Sequence, residues 1–494
     1  MNGQGFRVSP PQDDDASAPA VVVPHETKRM MLTKREPTAS RSPAAWLPLV
    51  AVCLGYFLVI LDVTVVTVAI PAIGAGLRTG LTSLQWVVDG YTLAFAGLLV
   101  FCGGLNDRLG GKPVFLAGLA VFTVASACCG LAPSAGVLIG ARLAQGVGAA
   151  AMVPASLALL HGAYPERGAR ARALGVWGMV AGIAAGAGPV LGGVLVSAIG
   201  WRSVFFVNLP FGVLGFLLTA RHVPNAASGR GRAAKVAGAA PVAGWAGLDV
   251  PAQVACALCL GGLTGALIEA GGRGWASPVV LGGLALFALS LPAFLLLERR
   301  ARAPMLPLDL FASRRFSSSA VIGVLLNLGF YGLLFVVPLY FQQVRHLDAL
   351  TTGLAMLPMA LMPMIASPLG GRVAARTGPR PPMACGLVVG GIGLLSWVLV
   401  DAGTSYWALV APLVLTGFGV GFAMPPATTA IMEAAPAELG GAASAVFNAA
   451  RQTGSAIGVA LVGTLVAGGG LVAGLHAEVV VGGLGFLVAA ALTL

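Results

Sequence analysis

The chain has 494 residues, 57% of them hydrophobic and only 10% charged, with a formal net charge of +11. A water-soluble domain carries about 25% charged residues, so composition places this chain in a membrane and argues against a soluble enzyme. The short alternating strands of a membrane barrel are absent. The basic residues lie in the connections between apolar runs, as orientation signals do, which argues against a nucleic-acid partner.

Residues 1–44 are polar and rich in Pro, Ala and Ser, and read as a disordered cytoplasmic tail rather than a signal peptide. A crossing of the bilayer needs roughly 20 apolar residues. About fourteen such runs follow, near 45–70, 86–105, 113–131, 137–160, 173–199, 204–220, 250–270, 278–297, 316–342, 352–371, 383–400, 406–430, 441–467 and 479–494. All seven cysteines fall within these runs and read as buried small hydrophobes. Cys256-x-x-Cys259 has no second pair with which to hold zinc, so no metal and no cofactor are expected.

Of the 29 basic residues, 17 lie in one set of alternate connections, four in the opposite set and six in the tail. The positive-inside rule then puts both termini in the cytoplasm, which requires an even number of spans. The remaining two, Arg142 and Arg451, fall inside spans. A charge at the bilayer centre costs at least ~2.5–3.5 kcal/mol, so each should face the bundle interior with a partner.

One stretch organises the chain: Gly103-Gly104-Leu105-Asn106-Asp107-Arg108-Leu109-Gly110-Gly111-Lys112-Pro113, a charged glycine-rich turn closing span 2. A degenerate copy runs from Gly371 to Pro381 and closes span 10, with Ala375 where Asp107 stands. Two copies imply two related halves, residues 45–220 and 316–494. Residues 250–297 then form two inserted helices, with linkers at 221–249 and 298–315. Paired six-span halves are one plan of secondary transporters.

These motifs resemble those of the major facilitator superfamily, in particular its fourteen-span drug:proton antiporter family. The opening loop is similar to G-x-L-x-D-R-x-G-R-K through Gly103, Leu105, Asp107, Arg108, Gly110 and Lys112, departing at Gly111. Leu61 to Pro71 resembles the first-span signature. Arg142-Leu143-Ala144-Gln145-Gly146-Val147-Gly148 matches R-x-x-Q-G-x-G. Gly188-Pro189-Val190-Leu191-Gly192-Gly193 matches the core of the antiporter signature, and Asn448 to Gly454 is similar to a span-13 pattern of the branch.

The resemblance implies an all-α polytopic membrane protein with the major facilitator fold, two six-helix bundles plus two inserted helices. It implies a proton-coupled antiporter that exports amphipathic drugs or antibiotics from the cytoplasm by alternating access, as a monomer in the cell membrane. Alternatives are a dedicated exporter of one metabolite and a proton-coupled uptake symporter. No G-x-x-x-x-G-K-[ST] loop for ATP and no H-E-x-x-H motif occurs, so neither an ATP-driven pump nor an enzyme is expected.

Helical rise places Asp62, Arg142 and Asp89 roughly 7, 9 and 10 Å outward of their span midpoints, at depths that allow one buried cluster. The bland alternative leaves Asp89 at the wet interface. Asp62 and Asp89 both stand as carriers of the coupled proton; Arg142 stays charged and tunes its neighbours. Asp107, with Gly103, Arg108, Gly110 and Lys112, is expected to latch the cytoplasmic side, capping a helix of the opposite half. Gly188, Pro189, Gly192 and Gly193 permit close helix approach. Gln145, Asn448, Arg451, Gln452, Tyr91 and Tyr331 are cavity candidates, and Glu269 reads as a solvated span end.

Overall fold

A computed structural model describes residues 46–164, 166–224, 249–301, 306, 308–436, 439–467 and 469–493. The expected tail and most of the 221–249 linker lie outside the described residues. In hydrocarbon every backbone N–H and C=O must be satisfied within the segment, and these apolar runs accordingly become helices. No strand occurs among the described residues.

In chain order the helices are α1 (Leu47–Leu77), α2 (Leu81–Leu109), α3 (Gly111–Gly130) and α4 (Ala135–Ala163). α5 (Arg167–Ala198), α6 (Ser203–His222), α7 (Val250–Arg273) and α8 (Pro278–Arg300) follow. Then come α9 (Arg314–Val344), α10 (Ala349–Thr377), α11 (Arg380–Leu399), α12 (Tyr406–Glu433), α13 (Gly440–Ala467) and α14 (Gly470–Ala491). Thirteen are long and apolar enough to cross a membrane. The remaining one, α13, has 28 residues but carries Asn448, Arg451 and Gln452.

The helices form two six-membered bundles with one pairing scheme. In the first, α1 packs on α5 and α6, α4 on α2 and α3, and α3 on α6. In the second, α9 packs on α13 and α14, α12 on α10 and α11, and α11 on α14. Small residues set the same crossing in each half. A side chain at Gly192 would press on the Val65 carbonyl of α1, and one at Gly458 on the Leu328 carbonyl of α9. The inserted α7 packs against α2 and α13, and α8 leans chiefly on α7.

The two copies of the charged stretch adopt one geometry, but not as a loop. α2 continues through Leu109, so the charged residues ride its last turns and Gly110 alone makes the turn, with φ 88°. Gly378 does the same after α10, with φ 81°. Their amides donate to Asn106 O and Ala374 O, both at 2.9 Å. The left-handed φ suits glycine because it has no Cβ.

Two expectations are corrected. The last span begins at Gly470 rather than near 479, which brings Glu478 inside the hydrocarbon-length helix, fully buried. The cysteines are not uniformly enclosed: Cys128 and Cys385 are exposed on helix surfaces, where an apolar thiol can meet lipid.

Candidate functional site

The side of the molecule carrying the α2–α3 and α10–α11 turns is here termed the basic face. The bundles are joined in the half away from it. Gln85 of α2 donates to the carbonyls of Val459 (2.7 Å) and Ala460 (3.0 Å) of α13. Gln342, on the π-helical turn that ends α9, donates to Val68 O of α1 at 3.0 Å. α5 meets α10 so closely that a Cβ at Gly193 would lie 2.6 Å from Ala349 O, and one at Gly353 would overlap Pro189 O. Gly188 and Gly192 face α1 instead. A depression of about 770 Å³ lies outside this seal, lined by residues that include Pro71, Leu84 and Gln342. Nearer the basic face, a Cβ at Gly175 or Gly178 of α5 would meet no neighbouring atom within 4 Å.

Within the first bundle lies an enclosed polar network. Asp62 Oδ2 forms an ion pair with Arg142 Nη1. Asp62 Oδ1 accepts from Gln145 Nε2 (3.1 Å) and Asn208 Nδ2 (3.0 Å). Arg142 also donates from Nε to Val87 O (2.9 Å) and from Nη1 to Gln145 Oε1 (2.9 Å). Its guanidinium carbon sits 4.5 Å from the centroid of the Tyr91 ring, a cation–π arrangement. Cys129 donates to Gln145 Oε1, and Ser126 accepts from Asn208. Asp62, Gln145, Asn208 and Ser126 are wholly inaccessible and Arg142 is 1% exposed.

The structure departs from four expectations. Gln145 and Tyr91 do not line a cavity. Gln145 lies three residues after Arg142, hence on the same helix face, and turns with it toward Asp62. The proposed cluster holds two of its three ionisable groups, because Asp89 is elsewhere. Val87 faces α4, and Asp89, two residues on, points to the far side of α2, beside Gln85 at the seam with α13. Nor is Asp89 wet: it is 0% exposed, and neither carboxylate oxygen has a partner among the described residues. Glu269 also differs from a solvated end, accepting from Trp86 Nε1 (3.1 Å) of α2 and Arg273 Nε (2.6 Å).

The second bundle arranges its polar groups differently. Arg451 is half-buried, with Nε 3.5 Å from Asn327 Oδ1 and Nη1 3.4 Å from Asn448 Oδ1. Gln452 is also half-buried beside it. Tyr331 and Tyr56 lie within Coulombic range of Arg451, and Tyr56 stacks on Trp177 with centroids 3.8 Å apart and planes 7° from parallel. Glu478, which sequence reasoning passed over, presses its carboxylate on the backbone of Gly332 and has no partner among the described residues.

Of the expected latch, the Asp107 side chain lies outside the described residues. Lys112 Nζ donates to Ala220 O (2.8 Å) near the end of α6, within its own bundle. Asn208, Ser126 and Cys129 were the network members with no sequence motif. Their only signal was polarity or sulfur at the ends of apolar runs.

Residues 52–459 match the family model described as Major Facilitator Superfamily. The chain is 38% identical to the "Methylenomycin A resistance protein" of Streptomyces coelicolor, over 84% of each chain. It is 38% identical to "Multidrug resistance protein Stp" of Mycobacterium tuberculosis, covering 85% of this chain and 76% of that one. It is 36% identical to the "Tetracenomycin C resistance and export protein" of Streptomyces glaucescens, with the same two coverages.

Proposed function

The chain belongs to the Major Facilitator Superfamily and is a multi-pass membrane transporter rather than an enzyme; from that premise we propose that it exports small amphipathic molecules, drugs or antibiotics among them, in exchange for protons. On this reading the basic face and both termini lie on the cytoplasmic side of the cell membrane, and the contacts of Gln85, Gln342 and Gly193 close the outer side. Substrate enters the cleft, the bundles rock, and the seal around Gln85, Gln342 and Gly193 opens.

The observation that carries the coupling is Asp89. A carboxylate in hydrocarbon with no hydrogen bond has nothing to offset the cost of leaving water. It sits where α2 meets α13, a seam that alternating access must remake. Asp62, by contrast, has its oxygens filled by Arg142, Gln145 and Asn208. We assign proton exchange to Asp89 and a fixed, charge-holding role to the Asp62–Arg142 pair. Inward proton flow supplies about 2.3 kcal/mol per charge for each 100 mV.

The test uses inverted vesicles under an imposed pH gradient, with substrate-driven proton release as the readout. Asp89→Asn should abolish proton release while leaving substrate binding intact. Full proton release by Asp89→Asn would return the assignment to Asp62. Substrate leaving rather than entering inverted vesicles would mark an uptake symporter. A dedicated exporter of one metabolite is the second reading, favoured by relatives named for single compounds such as tetracenomycin C.

A further inference from the structure

We propose that the cleft selects molecules that join an anionic group to a flat aromatic body, with Arg451 as the counter-ion and the Tyr56–Trp177 pair as the stacking face. The proposal takes its biological meaning from the exporter reading above, but its claim concerns what binds.

Arg451 differs from Arg142, the other arginine deep within a span. No ion pair to Arg451 occurs among the described residues. Its two amide contacts, at 3.5 and 3.4 Å, are long beside the ~2.7–2.9 Å of a good charge-assisted bond. A guanidinium presents five donors in a fork that fits a carboxylate or a phosphate. Here that fork is left largely unfilled, about 4 Å to the basic side of the midpoint of α13, and the side chain is only half-buried.

Alternating access makes this vacancy costly. When the basic side closes over Arg451, an unpaired charge in a dry site is unfavourable. Among the described residues, the carboxylates buried within the first and second bundles do not reach it. Asp62 is occupied by Arg142. Asp89 lies about 9 Å to the opposite side of the α2 midpoint. Glu478 is buried against Gly332 inside the second bundle. An anionic group on the substrate supplies the missing partner, so that closure proceeds when the cleft is loaded.

The aromatic half of the specificity comes from the other bundle. Tyr56 and Trp177 lie roughly 8–9 Å to the basic side of the midpoints of α1 and α5. Their rings stack in parallel and are only partly buried, and Tyr56 feels the charge of Arg451 from the other bundle. Trp177 Nε1 has no acceptor among the described residues. Stacking on this pair orients a flat ligand with its charged edge toward Arg451, and the ligand then touches both bundles at once.

The experiment is equilibrium binding to the purified full chain in lipid nanodiscs. The probes are 2-naphthoate, its methyl ester and (2-naphthylmethyl)trimethylammonium. The wild type should bind the acid about tenfold tighter than the ester and bind the ammonium compound weakest. Arg451→Gln should bring acid and ester to within about twofold, and Arg451→Lys should keep part of the preference, which also controls for folding. Tyr56→Leu should weaken acid and ester alike. Equal binding of acid and ester by the wild type, or an unchanged preference in Arg451→Gln, overturns the proposal. Vesicle transport is scored separately. Acid-selective binding without proton-linked transport would sink the exporter reading alone, and proton-linked export of the ammonium compound in preference to the acid would sink this one alone.

Discussion

The two six-helix bundles share a pairing scheme, a tight crossing of their first and fifth helices and a pair of glycine caps, yet they treat charge in opposite ways. The first encloses Asp62 and Arg142 together and fills their remaining bonding positions with Gln145, Asn208 and the Val87 carbonyl. The second keeps its ionisable groups apart: Arg451 is half-buried, and Glu478 is enclosed without a partner among the described residues. Backbone architecture repeats because the same small residues permit the same helix approaches. Polar chemistry need not repeat, since it depends on a few side chains that each half can change alone.

The sharpest way to break that comparison is to remove the two arginines in turn. Arg142→Gln strands a buried carboxylate and should destabilise the protein by about 3–5 kcal/mol with loss of transport. Arg451→Gln strands nothing and should cost less than ~1 kcal/mol. Chemical unfolding in detergent measures both, and equal costs would end the contrast. The shared crossings come next: Gly192→Val and Gly458→Val should each cost about 1–3 kcal/mol by overpacking, read in the same unfolding assay. Gly110→Ala and Gly378→Ala should each cost about 1–2 kcal/mol, since both place a Cβ at positive φ; unequal losses would show that the two turns are held differently.

The smallest effect separates two loops on the sealed face. In the α11–α12 loop, Asp401 Oδ1 accepts from the Thr404 hydroxyl (2.9 Å) and the Gly403 amide (2.8 Å), which holds its carboxyl below the ordinary value of 3.8. Such a group supports the loop fully above that ordinary value, and its support fades as pH falls through the lower folded value. Hydrogen exchange at the Gly403 amide should therefore quicken only in strong acid. The α3–α4 connection relies on the Ser134 hydroxyl, which accepts from the Val137 amide, and should show no such dependence.

Much of this was legible in the sequence, for reasons that differ by residue. Length and apolarity mark a span regardless of its neighbours, so the fourteen runs and the Gly110 and Gly378 turns could be read directly. The meeting of Asp62 and Arg142 followed from the cost of two charges in oil. Asn208 could not be read, since an amide near the start of α6 looks like a loop residue until the helix is docked on α1. Glu478 was hidden by its own polarity: His476 and Glu478 made the last apolar run appear to start after them, whereas α14 begins at Gly470. Asp89 could not be assigned a side of α2 from sequence, since that depends on the packing of α13.

The inserted α7 has a consequence for how greasy compounds reach the cleft. It is tied to α2 through Gln253, which donates to Gly97 O, and through Glu269, which accepts from Trp86, and it also receives Thr464 of α13 on its Leu267 carbonyl. This hairpin covers one flank of the molecule, over α2 and α13. A solute dissolved in the surrounding bilayer therefore meets α7 and α8 before it meets α2 or α13 on that flank.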